Sequence, residues 1–346
     1  MQARGRLVIS LLLLLILAPW VGAIEVGEES ENTDLADTFP LLNDAQVDSI
    51  LSTGARGVTT WVHQGTANPS ASNGPGDFNS VWISDVVNTS NNGIIITGSY
   101  RGDVLFDSGP APTTRDERTA FVAQLDQYGG WTWFKHTGQP MDSVGSAHSE
   151  EATVGPAGVW ICGWITDTIT FGEHSVTTGG LYTDAFVALY NITQDNWDIV
   201  TTWGGQYDDH ANGCTATVEG SVYVVGSYRD TGYFGGNQYQ SEGGSDMYVL
   251  KVDSMGAFSW VQTWGGSYND NLTAITIDSY ENAYIVGYYR DNVLDWPNDH
   301  IVTAGRPYNG FVTKVNPFGT FQWSRDMAGG ANYQSVFASA VTFGNG

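Results

Sequence analysis

The chain of 346 residues carries 13 Lys+Arg against 37 Asp+Glu, a formal charge of −24. That field repels phosphate backbones and anionic headgroups, which excludes nucleic acid as a ligand and favours cations or basic partners. Two cysteines cannot staple a chain of this length, so hydrophobic burial must stabilise it, and 13 Trp, 17 Tyr, 14 Phe and 43 Gly point to short strands joined by tight turns.

Residues 1–23, MQARGRLVISLLLLLILAPWVGA, set Arg4 and Arg6 ahead of the apolar run Leu7–Leu17 and end on Val21-Gly22-Ala23. This pattern reads as a secretory signal cut after Ala23, with an apolar run too short for a membrane anchor. It predicts a secreted or cell-surface protein, and no later stretch is apolar enough to span a bilayer. Residues 24–56 form an acidic leader, with a weak amphipathic helix over Leu42–Leu51.

From residue 57 to 346 the chain repeats itself. FVAQLDQYGGWTW ends at Trp133, YVLKVDSMGAFSW at Trp260 and FVTKVNPFGTFQW at Trp323, while FVALYNITQDNW ends at Trp197 and is one residue shorter counted from its Phe. The spacings of 64, 63 and 63 residues define units 61–133, 133–197, 197–260 and 260–323, with a partial unit over 323–346. An insertion, TANPSASNGPGDFN, lengthens the first unit and is a surface loop by composition. Each unit reads as four strands, with tight Asn- or Gly-bearing hairpins between strands one and two and between three and four. Four-stranded units of this size, repeated radially, are propeller blades, and one blade cannot bury both of its faces alone.

The tripeptide Arg101-Gly102-Asp103 resembles an integrin-binding signal. It aligns with Arg229-Asp230 and Arg290-Asp291 of later units, so it reads as one variant of a recurring Tyr-Arg turn.

Trp264–Tyr289 reads WGGSYNDNLTAITIDSYENAYIVGYY and Gly243–Trp260 reads GGSDMYVLKVDSMGAFSW. These segments resemble the repeats named for seven-bladed β-propellers, found in secreted and cell-surface proteins of bacteria and archaea. The resemblance covers roughly residues 58–346, is closest in units three and four, and is looser in unit two at EEATVGPAGVWICGW. It implies an all-β propeller and an extracellular setting, with no single activity. Four full units and a partial fifth leave either an open ring or a fragment of a longer chain as the expectation.

Antiparallel order puts the two-to-three and four-to-one loops on one rim, away from the tight hairpins. On that rim the sequence places Arg101, Arg229 and Arg290, with Tyr100, Tyr228 and Tyr289 beside them, as candidates for gripping carboxylates or sulfated sugars. Alternatively, each arginine pairs with an acidic loop residue such as Asp230, Asp270 or Asp291. Asp208 and Asp209, with Asn269 and Asp270, are candidate Ca²⁺ ligands, although neither loop completes a known Ca²⁺ motif. The six histidines show no metal-ligand spacing, and no Gly-x-Ser-x-Gly elbow is present.

Cys162 and Cys214 fall in adjacent units, where they either bridge in one disulfide or pack as separate thiols. Asn88, Asn191 and Asn271 begin glycosylation sequons. Trp133, Trp197, Trp260 and Trp323 are assigned to packing between units. The functional expectation is a non-catalytic binding or scaffold module for extracellular protein or polysaccharide. The alternative is a propeller enzyme acting on carbohydrate, as a glycoside hydrolase or lyase.

Overall fold

The computed structural model describes residues 65–67, 80–102, 104–106, 117–139, 144–179, 182–290, 293–294, 308–327 and 335–343. The signal, the leader with its Leu42–Leu51 helix, most of the first-unit insertion, and Asp291 lie outside these residues. Among the described residues every regular element is a β-strand, all the pairing is antiparallel, and no helix is long and apolar enough to cross a membrane.

Sixteen of the 21 strands among the described residues fall into four units of four. Unit one comprises Ser80–Asn88, Ile94–Arg101, Thr119–Leu125 and Trp131–His136, paired in chain order. Unit two comprises Ala147–Val154, Val159–Ile165, Asp184–Asn191 and Asn196–Gly205. Unit three comprises His210–Ala216, Val222–Phe234, Asn237–Val252 and Phe258–Gly266. Unit four comprises Asn271–Ile277, Ala283–Tyr289, Asn309–Val315 and Phe321–Met327.

The middle strands are apolar without alternation because both of their faces are covered: every residue of Thr119–Leu125 is buried. Side chains of one strand therefore enter two different cores. In Val159–Ile165, Val159 and Ile161 pack with Ile95 and Val122 of unit one, whereas Trp160 and Cys162 pack with Val224 and Leu250 of unit three. On its other face unit three shares a core with unit four through Val225, Val249, Ile275 and Ile285. The sheets are thus stacked face to face in chain order, each covering its neighbour's apolar side. Full burial of each such Val, Leu or Ile contributes about 1.5–3 kcal/mol.

A second device ties each unit to the one before it. The excursion between strands two and three folds back to pair with the end of the preceding fourth strand. Gly232 and Tyr233 pair with Gly205 and Gly204, Val293 and Leu294 with Gly266 and Gly265, and Thr170 with Gly138. Val104–Phe106 pairs with Gly65–Ala67 in the same sense, so residues 65–67 stand where a preceding unit's last strand would end.

First strands line up beside one another and carry the same irregularity. Each has a β-bulge, at Ser84, Glu150, Asn212 and Thr273, which leaves one residue unpaired in its own sheet. The bulge brings the preceding carbonyl over strand two, where only glycine fits. A Cβ on Gly98, Gly163, Gly226 or Gly287 would lie 2.0, 1.9, 1.9 or 2.2 Å from the carbonyl oxygen of Trp82, His148, His210 or Asn271. The bulge frees polar groups to reach the next first strand: Asn212 Nδ2 donates to Leu272 O at 2.8 Å, and Thr273 Oγ1 to Ala338 O at 2.5 Å. Residues 335–343 continue this series beyond unit four, since Val336 N donates to Tyr308 O as Asp270 N does to Ser245 O and Asp209 N to Thr183 O.

The strand register corrects one feature of the repeat. The hairpin Asn191–Asn196 is one residue longer than its counterparts, which begin at Asp126, Asp253 and Asn316. Consequently Trp197 pairs with Tyr190 as Trp131 pairs with Leu125, Phe258 with Val252 and Phe321 with Val315, while Ile199 is the counterpart of Trp133, Trp260 and Trp323. Trp133 and Trp260 are half-buried and bridge units. Trp133 lies 4.9 Å from Tyr190, and Trp260 Nε1 donates to Pro317 O. Half-buried Trp323 lies against Tyr284 of its own unit. Trp197 is buried against Phe171 and Tyr190 within unit two.

This placement predicts that Trp197→Phe, which copies Phe258 and Phe321, costs only about 1–2 kcal/mol in urea unfolding, against about 3–5 kcal/mol for Trp197→Ala. Equal losses from the two variants would contradict the register.

Candidate functional site

The rim bearing the two-to-three and four-to-one connections is where the units differ most. Of the side chains expected there, Tyr100, Tyr228 and Tyr289 turn inward and are each 1% exposed. Tyr100 and Tyr289 pack on Phe121 and Phe311, and Tyr228 packs on Phe234 while its hydroxyl donates to Gln240 O. A tyrosine one residue before the arginine points to the opposite face of the strand, which here is core. The arginines remain on the rim, and Arg229 and Arg290 are exposed.

Asp209 and Asp270 explain the recurring Trp-Gly-Gly-x-Tyr-x-Asp segment. Asp209 Oδ2 accepts from Gly205 N at 2.7 Å and its Oδ1 from Arg229 N at 2.9 Å; Asp270 accepts from Gly266 N and Arg290 N at 2.8 Å each. One carboxylate thereby joins the end of a fourth strand to the next unit's second strand. The glycines admit further carboxylates: a Cβ on Gly204 would lie 2.4 Å from Asp184 Oδ1, and one on Gly265 would lie 2.1 Å from Asp246 Cγ. Asp208 Oδ1 accepts from Thr183 N, and Asn269 Oδ1 from Ser245 N. All four proposed Ca²⁺ ligands therefore serve the loops as acceptors. Among the described residues, no group of three or more His, Cys, Asp or Glu side chains is arranged to hold a metal ion.

The tyrosine of the same segment carries the guanidinium. Arg229 Cζ lies 5.4 Å from the Tyr207 ring centroid, and Tyr182 sits 5.4 Å from Tyr207. Arg290 lies 4.3 Å from Tyr268 and 6.0 Å from Tyr308. The expected pairing of these arginines with acidic side chains is not formed among the described residues; the acids bind their backbone N–H groups instead.

Unit two departs from this scheme. Ala147 takes the place of Asp209 and Thr166 that of Arg229, while His148, Glu150 and Trp164 lie close together beside them. Arg118, which precedes strand three of unit one, lies over Trp82 at 4.3 Å and Trp164 at 5.5 Å. His148 Nδ1 meets Ser99 Oγ at 2.6 Å, and its Nε2 lies 3.3 Å from Ser84 Oγ and 3.5 Å from Glu150 Oε1. Burial raises the Glu150 pKa, but His148, His210 and Trp164 outweigh it and hold the carboxyl below its ordinary value. Burial lowers the pKa of His210, against the opposing pull of Asp208 and Glu150. Sequence spacing could not find this group, because its members come from three units.

Lysines and arginines are treated differently. Lys135 pairs with Asp195 at 2.7 Å, Lys251 with Glu281 at 3.0 Å and Lys314 with Asp278 at 3.6 Å, all towards the tight hairpins. Among the described residues Arg118, Arg229 and Arg290 make no ion pair and lie on aromatic rings.

Deeper between units one, two and three, Asp85 Oδ2 accepts from Ala152 N and Glu151 Oε2 from Cys214 N. Cys162 and Cys214 are buried free thiols hydrogen-bonded to each other, and burial raises the pKa of both. Of the sequons, Asn88 is exposed. Asn191 is 8% exposed and donates Nδ2 to Asp198, while Asn271 Oδ1 accepts from Asn212.

Burial outweighs backbone hydrogen bonding at several of these acids. Glu151 and Asp209 are pushed up to about 8, Asp270 to about 7, and Asp184 and Asp246 to about 6. In the unfolded chain all five titrate near pH 4. Between these values the folded chain holds protons that the unfolded chain has released, so stability falls as pH rises from about 4 to about 8. The melting temperature should therefore decline from pH 5 to pH 9, and an Asp209→Asn, Asp270→Asn double variant should show a lower baseline and a shallower decline. A rise over that window would mean that the carboxylates fold ionised.

No family model and no curated protein matches the chain, so its function is read from this geometry.

Proposed function

We propose that the chain is an exported β-propeller of the seven-bladed-type repeat family, serving as a non-catalytic module that binds extracellular polysaccharide at its loop-bearing rim. Face-to-face stacking of four-stranded units, with first strands side by side, supports the propeller reading. The clasp of residues 65–67 onto unit one supports further pairing beyond the four units.

The observation that carries the binding reading is the treatment of the arginines. The chain has 37 acidic residues, yet among the described residues three guanidinium groups lie on indole and phenol planes and none of the three forms an ion pair. Such planes hold a guanidinium at a modest gain of about 0.5–1 kcal/mol while leaving its N–H fork outward. Beside them Trp82, Tyr182 and Tyr268 are 39%, 46% and 40% exposed, and their flat faces match the apolar faces of sugar rings.

The second reading, a glycoside hydrolase or lyase, draws on Glu150 and His148. Glu150 is kept as the carboxylate, a state that suits a base or a charge stabiliser. Turnover of a bound polysaccharide that is lost in Glu150→Gln would favour that reading.

The test is calorimetric titration against a panel of neutral and acidic soluble polysaccharides. The native chain should bind at least one, and a Trp82→Ala, Tyr182→Ala, Tyr268→Ala variant with unchanged melting temperature should bind it tenfold or more weakly. Failure to bind any polysaccharide, or equal binding by the variant, would overturn the assignment of the rim.

A further inference from the structure

Resting on the reading of the rim as a polysaccharide-binding surface, we infer that its ligand is a polyanionic polysaccharide with carboxylate or sulfate groups. Arg118, Arg229 and Arg290 would engage it as three separate points along one strand of sugar.

Each of these arginines lies within a few residues of acidic side chains: Arg229 is followed by Asp230, its backbone N–H is bound by Asp209, and Asp208 lies on the same loop. Asp230 Oδ1 is occupied by Gln240 Nε2, Asp208 Oδ1 by Thr183, and Asp209 by two backbone N–H groups. Nearby acceptors are thus engaged by neutral donors, and the guanidinium is supported from beneath by an aromatic ring. An arginine held this way presents a planar pair of N–H donors that matches a carboxylate or sulfate bidentately, in contrast with the ion-paired lysines at the other end of the units.

Arg229 on Tyr207 and Arg290 on Tyr268 occupy equivalent places in successive units, each preceded by the same Trp-Gly-Gly-x-Tyr-x-Asp frame. Arg118 reaches a comparable setting by another route, from the start of a third strand, between Trp82 and Trp164. Three anion sites on units one, three and four, all on one rim, suit a ligand that carries many charges along its length. A second and third contact made by one chain of sugar become intramolecular, and avidity can then exceed single-site affinity by about 10²–10⁴.

The overall charge of −24 does not oppose this. At about 0.15 M ionic strength the field of distant carboxylates is screened beyond about 8 Å, whereas a guanidinium in contact with its anion is not.

The experiment uses the full chain and two forms of one polymer: polygalacturonate, and the same polymer with its carboxylates methyl-esterified. Binding is measured by calorimetry and affinity electrophoresis, with galacturonate trisaccharide as the short ligand. The inference predicts that esterification weakens binding tenfold or more, and that the polymer binds at least a hundredfold more tightly per chain than the trisaccharide. Each of Arg118→Gln, Arg229→Gln and Arg290→Gln should weaken the polymer several-fold, and the triple variant should abolish binding with the melting temperature unchanged. The backbone N–H groups bound by Asp209 and Asp270 survive these substitutions, so folding is retained. Equal binding of esterified and free polymer overturns the anion assignment and leaves the polysaccharide rim standing. Equal affinity for polymer and trisaccharide overturns the repeated engagement. Binding of neither form, nor of a sulfated galactan tested beside them, overturns the inference, and binding of neutral glycans by the same sample would show that the rim reading survives it.

Discussion

The fold depends on the fact that each four-stranded sheet is apolar on both faces. No single sheet can be covered from within, so Val159 and Ile161 must face one neighbour while Trp160 and Cys162 face the other. Hydrophobic burial supplies the attraction, but it is non-directional and does not by itself align one sheet with the next. Alignment comes from polar groups that cross between first strands: Asp85 to Ala152 N, Glu151 to Cys214 N, Asn212 to Leu272 O and Thr273 to Ala338 O. Asn212 and Thr273 are the bulge residues that their own ladders leave out, whereas Asp85 and Glu151 reach across from the paired residue that follows the bulge.

The loop-bearing rim inherits its geometry from that alignment. Asp209 and Asp270 are fully buried and bind two backbone N–H groups each, so they fix where the following arginine emerges. Their carboxylates stabilise the chain path, and the tyrosine two residues earlier supplies the surface on which the guanidinium lies. The same short segment thus performs two tasks, one covalently local and one between units. Where unit two replaces the aspartate by Ala147, it also loses the arginine, and the neighbouring His148, Glu150 and Trp164 form a group of their own.

Much of this was legible in the sequence, and particular residues show where legibility stopped. The recurring Gly-Ser-Tyr-Arg and Trp-Gly-Gly patterns marked the unit length and the four strands, because glycines that face carbonyls or carboxylates tolerate no replacement. Hairpin length was harder to read. One extra residue after Asn191 moved Trp197 into the place of Trp131 and left Ile199 as the counterpart of Trp133, a shift that identical residue types conceal. The direction of Tyr100, Tyr228 and Tyr289 was misread for a similar reason: alternation along a strand states which residues share a face, but not which face is covered.

By itself the sequence determined the class of structure, the number of units described, the turns that join their strands and the place of Arg229 and Arg290 after strand two. These follow from local periodicity and from backbone conformations that few residues adopt. Tertiary structure alone decided that the arginines lie on aromatic rings while acids bind their backbones, and that Arg118 settles between Trp82 and Trp164. It also decided that His148, Glu150 and His210 meet. Apart from His148 and Glu150, which are two residues apart on one strand, these groups come from different strands or units, and their distances depend on how neighbouring sheets stack, which no local pattern encodes.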